Sequence, residues 1–369
     1  MLTAFVRAFQ TPDLRKKLLI TLGLIALFRL GASLPTPGIS EKNVAFCSNA
    51  AAQGSTAGVL AIVNLLSGQA LLRLSVFALG IMPYITASII LQLLTVVIPR
   101  LETLKQEGQS GQAKITQYTR YLTVGLAVLQ STGYVELAKS GTLFNGCGAS
   151  GTANPLIPNA STFTIATMVI TMVAGTTVIM WMGELITDRG VGNGMSVLIF
   201  TTVISVIPGE VLAIYRVKGA FYAAIAIVVV VAIVAFIVFM EQAQRRIPVQ
   251  YAKRMVGRRM YGGTSTYIPM KVNQAGVIPV IFASSLLYIP TLAAQLFGNQ
   301  NHPQGWVAWV ARYVEQSNSV FYMLAFFLLI VGFTYFYVSI TFNPTEVADN
   351  MKKYGGFIPG IRPGKATAV

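Results

Sequence analysis

The stretch that decides the fold is GVLAIVNLLSGQALLRLSVFALGIMPYITASIILQLLTVVIP, residues 58–99. It is apolar nearly throughout, yet about twice the ~20 residues that a helix needs to cross a bilayer. Ser67-Gly68-Gln69 and Arg73 interrupt it. As a helix, the apolar part of 58–72 spans at most ~22 Å, short of a ~30 Å hydrocarbon core. Two readings of that part follow. It is either a half-helix that re-enters the membrane, buried in protein or lining an aqueous cavity, or an amphipathic helix on the outer leaflet. The first is adopted here, with a full span following from about residue 74.

Working outward, 54% of the 369 residues are hydrophobic and 11% are charged. A soluble domain carries about 25% charge, so this chain lacks the polar residues to cover a water-facing surface. Eight apolar blocks are long enough to span: 18–34, 74–98, 119–137, 161–186, 194–213, 219–240, 273–297 and 319–342. The expected fold is an all-α polytopic membrane protein of eight transmembrane helices plus a re-entrant half-helix. A barrel would show short alternating segments instead. The basic N-terminal region precedes an apolar one without a small-residue cleavage site, which reads as an uncleaved first span. With the N-terminus inside and 58–73 not crossing, 20 of the 27 Lys and Arg fall on the cytoplasmic side, as the positive-inside rule demands. A ninth crossing at 58–73 lowers that to 18 and strands Arg15-Lys16-Lys17 outside.

Enzyme chemistry is poorly served. The single histidine, His302, sits beside Pro303 in an external loop, which leaves no His-based triad or two-histidine metal site. GNGMS at 192–196 has a glycine-flanked serine but no base to activate Ser196, and reads as a glycine-rich helix entry. No phosphate-cradling GxxxxGK[ST] occurs, so energy from ATP must come from a partner. An ion-coupled transporter needs ionisable groups at membrane depth. Here Arg29, Arg120, Glu136, Glu184 and Glu210 all lie near span ends. Both cysteines, Cys47 and Cys147, fall in loops assigned to the outside, an oxidising side in bacteria. A disulfide and two free thiols both stand as readings.

The second span carries Pro83 and Gln92; the seventh carries Asn273, Gln274, Pro279, Ser284, Ser285 and Pro290. Two kinked helices with polar residues form either a seam that opens or ordinary interhelix packing. The cytoplasmic loop 241–271 holds seven basic residues and one acid, with Tyr251, Tyr261 and Tyr267 among them. Topology alone accounts for some of that charge, but the excess suits RNA phosphates or an acidic protein surface. The cytoplasmic tail 343–369 sets Arg362 among prolines and glycines.

FALGIMPYITASIILQLLTVVIP, GQSGQAKITQYTRY, DRGVGNGMS, KVNQAGVIPVIFASS and GGFIPGIRPGK, five motifs in order, together resemble the SecY family. The resemblance runs from the first span to the end of the chain. It implies a bacterial cytoplasmic-membrane channel for unfolded secretory proteins, not an enzyme and without a cofactor. The expected clamshell has an N-terminal half, 1–213, and a C-terminal half, 214–369. SecY proteins have ten spans, and this sequence reaches Val369 where a ninth would begin, so the second half is expected to be incomplete.

Position by position, the resemblance implies a pore ring of Ile81, Ile85, Met195, Ile199 and Ile281. It implies a plug around 58–70, with Leu60, Ile62, Val63, Leu65 and Leu66 as its apolar face, and a lateral gate marked by Gln92 and Asn273. Arg254, Arg258, Arg259 and Arg362 become contacts for a motor or ribosome. The partners implied are SecE-like and SecG-like small membrane subunits, a SecA-type ATPase motor and the ribosome through its rRNA phosphates. Signal-sequence-bearing preproteins and the lipid bilayer complete the set. Within the ring, members four residues apart share one helix face, and a narrow apolar constriction dewets and stops ions. The rivals are an ion-coupled small-molecule transporter and a non-conducting docking protein.

Overall fold

The computed structural model describes residues 11–52, 68, 70–71, 73–140, 155–251, 254–256, 259–261, 265–297, 305, 309–310, 313–314, 319–342, 344–353, 355–361 and 364–368. The chain is mostly helical. The first half contains α1 (Pro12–Ser33), α2 (Glu41–Ala52), α3 (Met82–Val97), α4 (Pro99–Gln106), α5 (Gln109–Ser140), α6 (Thr162–Arg189) and α7 (Gly194–Lys218). Then come α8 (Ala220–Gln242), β1 (Gln244–Tyr251), β2 (Arg254–Val256), β3 (Arg259–Tyr261) and β4 (Ser265–Lys271). The chain continues with α9 (Ile278–Phe297), α10 (Val320–Thr341), α11 (Pro344–Lys353), β5 (Gly356–Phe357) and α12 (Lys365–Ala368). It divides into two compact units, one of Met1–Ala213 with Ser284–Leu324, the other of Ile214–Ala283 with Ala325–Val369.

Among the described residues, four helices are long and apolar enough to cross a membrane: α6, α7, α8 and most of α10. A bent pair, Met82–Thr95 with Pro99–Lys105 at 104°, makes up to five. Pro99 explains the bend, because it cannot extend α3 but is pre-set for the first turn of α4.

The second span differs from the sequence expectation. It is not a helix from residue 74: Arg73 to Ile81 runs as turns, and α3 starts only at Met82. At 16 residues, α3 is about 24 Å long, shorter than the hydrocarbon core. Pro83 therefore kinks nothing, since it occupies the first turn, where no helix hydrogen bond is lost. Gly80, at φ 57°, sits just before the helix in the left-handed region that glycine tolerates best. Non-helical backbone at membrane depth must find its partners within the protein. Here they come from the exit of α1. Val76 N–H donates to Leu34 O (2.9 Å), and Thr36 donates both N–H and Oγ1–H to Leu74 O (3.0 and 2.7 Å). Pro35 and Ser75 form an isolated bridge, and Ser75 N–H donates to Ala70 O (3.1 Å).

Burial against lipid-facing neighbours brings little hydrophobic gain in a bilayer, so packing contacts and small residues hold such a bundle. Gly31 on α1 leaves room for the Phe77 ring, and Gly175 on α6 lets the Val76 carbonyl approach. Gly31→Val is therefore expected to cost about 1–3 kcal/mol by overpacking. That would appear as a lower melting temperature in detergent and reduced accumulation. Gly125→Val, whose Cβ position is open, should melt like the parent.

From Gln244 on, the described residues of the basic loop 241–271 form strands. β1 and β4 pair antiparallel from Gln244↔Lys271 to Gln250↔Ser265, and β2–β3 form a small inner hairpin. The tail strand β5 joins the far edge of β1, pairing Gln250↔Phe357 and Tyr251↔Gly356, so the sheet order is β4-β1-β5.

Candidate channel constriction and basic sheet

Four of the five predicted ring residues come together. Ile81, 2% exposed, belongs to a buried apolar cluster with Leu24, Phe28, Phe77, Ile179 and Leu198, and Ile85, Met195 and Ile199 pack against it. Ile81 caps α3, and Ile85 N–H donates to Ile81 O (3.1 Å), which stacks the two on one face. The fifth, Ile281, lies on α9 in the other compact unit and is partly exposed. What α3 and α7 bring together is an apolar surface.

The GNGMS motif positions the α7 pair. Asn193 Oδ1 accepts from the N–H groups of Met195 (3.0 Å) and Ser196 (3.3 Å), the signature of an N-cap. Gly194 N–H donates to Thr187 Oγ1 (2.9 Å), and Gly183 leaves space for the Met195 thioether. Ser196 is a first-turn helix residue, as the sequence reading holds. Sequence reasoning missed Phe28 and Phe77, stacked at 5.9 Å between centroids, and Ala70, which is 1% exposed in the same cluster. Their apolarity was visible, but nothing local marked them as neighbours of the ring.

Three residues beyond Ile199 on α7 is Thr202, whose backbone packs against Gly68. Gly68 is buried and lies close to Arg29 Nη1, which is itself buried without a hydrogen-bond partner among the described residues. Leu60, Ile62, Val63, Leu65 and Leu66, expected to form a plug, lie outside the described residues.

Of the gate residues, Gln92 is exposed on α3. Asn273 is half-buried and fully engaged. Its Nδ2 donates to Glu241 Oε1 (2.7 Å), and its Oδ1 accepts from Gly276 N–H (3.1 Å). Arg120 and Glu184 form a bidentate pair between α5 and α6, at 2.9 and 2.7 Å. No group of three or more His, Cys, Asp or Glu suited to a metal occurs among the described residues.

The basic loop presents an ordered surface. Arg246 and Tyr267 share one face of the β1–β4 ladder, with the guanidinium 4.8 Å from the ring centroid. Ile247 and Val249 point to the opposite face, where Val249 is 1% exposed. Arg254 and Arg259 lie on the β2–β3 hairpin, whereas Arg258 and Arg362 lie outside the described residues. Cys47 is buried and disulfide-bonded; Cys147 lies outside the described residues.

Comparison with known proteins now adds the ancestry. Residues 75–369 match the SecY family model. A protein translocase subunit SecY of Streptomyces scabiei is 60% identical over 372 residues, which cover 100% of this chain and 83% of that relative. A solved protein-conducting channel superposes with a TM-score of 0.62 at 17% identity, covering 96% of this chain and 79% of the other. Sec61 in the canine ribosome–channel complex from the endoplasmic reticulum does so with a TM-score of 0.54 at 18% identity, covering 94% and 77%. Chain-long identity to the relative, a family match over most of the sequence and a shared fold agree: this chain belongs to the SecY family.

Proposed function

We propose that this chain is the channel-forming subunit of a bacterial protein translocase. It passes unfolded secretory chains across the cytoplasmic membrane and releases membrane segments sideways into the bilayer. It is not an enzyme; a cytoplasmic motor or a translating ribosome supplies the drive. The observation that supports this reading is the buried apolar cluster around Ile81, with Ile85, Met195 and Ile199 packed against it, in a chain of SecY ancestry. A ring of these residues seals against ions by dewetting, yet flexible aliphatic and thioether side chains part for a polypeptide.

The finer reading has eight spans, α1, α3 and α5 to α10, with the N-terminus and the basic sheet in the cytoplasm. Two halves, 1–213 and 214–369, form a clamshell, Ile281 completes the ring, and Gln92 and Asn273 mark the lateral gate. Residues 58–70 are the plug; their C-terminal end is favoured by Ala70 reaching the ring cluster. Cys47 pairs with Cys147, the chain's only other cysteine. SecE-like and SecG-like subunits, a SecA-type motor, the ribosome, preproteins and lipid are the partners. The ion-coupled transporter finds no support in the relatives, and the end-of-span charges Arg120 and Glu184 satisfy each other.

The test is a preprotein stalled in the complete translocase with a photo-reactive group at residue 85. A crosslink to the preprotein is expected, and solute uptake that follows an ion gradient, without a crosslink, would favour the transporter. Deleting 58–70 should raise resting ion conductance or relax signal-sequence discrimination. Unchanged conductance and discrimination would remove the plug assignment.

A further inference from the structure

The basic sheet is tied to both helices that flank it. Val272 N–H donates to Ala243 O (3.1 Å), closing the β1–β4 ladder at its base. Directly beyond, the Asn273 amide spends both ends across the junction. Its Nδ2 holds Glu241 Oε1, in the last turn of α8, at 2.7 Å. Its Oδ1 holds Gly276 N–H, two residues before α9, at 3.1 Å. Without these bonds, α9 would hang from the sheet by residues 272–277, a linker containing Gly276 at φ 60°. Glycine in the left-handed region is a soft joint, and such a joint absorbs displacement instead of passing it on. The far end of the sheet is stitched to the tail through β1–β5, so loop and tail present one surface.

We propose that Asn273 and Glu241 form a clamp that carries movement of the cytoplasmic sheet into the start of α9, coupling partner docking to the helix that bears Ile281. Both are positioning residues. The inference rests on the proposed translocase function, and specifically on docking at this sheet. A carboxylate acceptor makes the Glu241 bond charge-assisted and short, suited to keeping the junction stiff under load. Asn273 thereby acts at the sheet–helix junction, in addition to any contact with a signal sequence.

The experiment uses the complete translocase in vesicles with motor, ATP and one preprotein. Motor binding, motor ATP hydrolysis and preprotein translocated per ATP are measured for parent, Asn273→Ala, Glu241→Ala and Glu241→Gln. Glu241→Ala, which lies outside the proposed gate, is expected to bind motor and hydrolyse ATP as the parent does, and yield is read in both alanine variants. Their translocation per ATP should fall about five- to tenfold, in the range of ordinary coupling free energies. Glu241→Gln keeps an acceptor oxygen and should retain at least about half of the parental yield, a rescue that general destabilisation would not give. Parental yield in the alanine variants, or a glutamine variant as defective as alanine, overturns the clamp. A parent that neither binds motor nor translocates overturns the function reading instead, and is thereby distinguished. Should the alanine variants fail to accumulate, Glu241→Asp carries the test, because it keeps the charge but withdraws the oxygen by one methylene. Lower yield per ATP with full motor binding supports the clamp, and parental yield overturns it.

Discussion

Ile85→Asn is expected to let cells export proteins whose signal sequences are defective. Ile85 packs on the cluster that contains Ile81, Phe28 and Leu198. An amide there has no polar partner among these neighbours, and burying one unpaired costs about 1–3 kcal/mol on protein scales. In the proposed ring, that cost falls on the closed, dry arrangement and is relieved when the ring parts and water enters. The closed-to-open equilibrium should therefore shift by about 5- to 150-fold toward open, since 1.4 kcal/mol is a factor of ten. A signal sequence normally supplies the free energy of opening, so a weaker one then suffices. Single-channel conductance at rest should rise in parallel. Ile89 provides the contrast, being 7% exposed on the same helix but not a member of the cluster. Ile89→Asn should lower the melting temperature without relaxing signal selection. Equal behaviour of the two variants would make Ile85 an ordinary packing residue.

The apolar helices were legible because they follow from a local rule, whereas the residues around Ile81 were singled out by the SecY resemblance. A bilayer fixes span length, so the blocks around α6, α7, α8 and α10 stand out in the sequence. Residues four apart on a helix share a face, which is enough to stack Ile81 with Ile85 and Met195 with Ile199. The turns from Arg73 to Ile81 were not legible, because their carbonyl and amide partners, Leu34 and Thr36, sit about forty residues upstream. Apolarity without periodicity reads equally well as helix. The sheet was half legible. Ile247 and Val249 lie two apart on β1, and Ile247 is paired with Ile268 on β4. Pro248 and Pro269 hide that pattern, since proline lacks a ladder donor and demotes a strand in any sequence reading. Pro248 is tolerated in the middle strand because β5 reaches only Gln250 and Tyr251. The hydrogen bonds of Asn273, which tie the sheet junction to the approach of α9, were not legible, because Glu241 lies 32 residues upstream.

Arg362→Glu is expected to abolish motor-driven export while leaving the channel folded and inserted. The residue follows PGI and precedes PG, and the flanking backbone is built from turns. Gly355, Gly360 and Gly364 all have positive φ, and Ile361 N–H donates to Ile358 O (3.1 Å). Upstream, Phe357 is paired to Gln250, which fixes the root of this loop on the sheet. Ile361, the described residue that precedes Arg362, is 44% exposed. A cation presented from a short, anchored loop loses little entropy on docking, so its contact energy is expressed almost fully as affinity. Reversing one charge in a close interfacial pair costs about 2–5 kcal/mol, a loss of roughly 30-fold or more in binding. Folding should be spared, because the described part of the tail is held to the sheet by the β1–β5 pairs. The measurement is translocation into vesicles with motor and ATP, beside chain accumulation and melting temperature. Arg362→Lys, which keeps the charge but loses the planar fork, should be partly active if a carboxylate or phosphate is gripped bidentately. Normal accumulation with full translocation by Arg362→Glu would take the docking role away from this arginine.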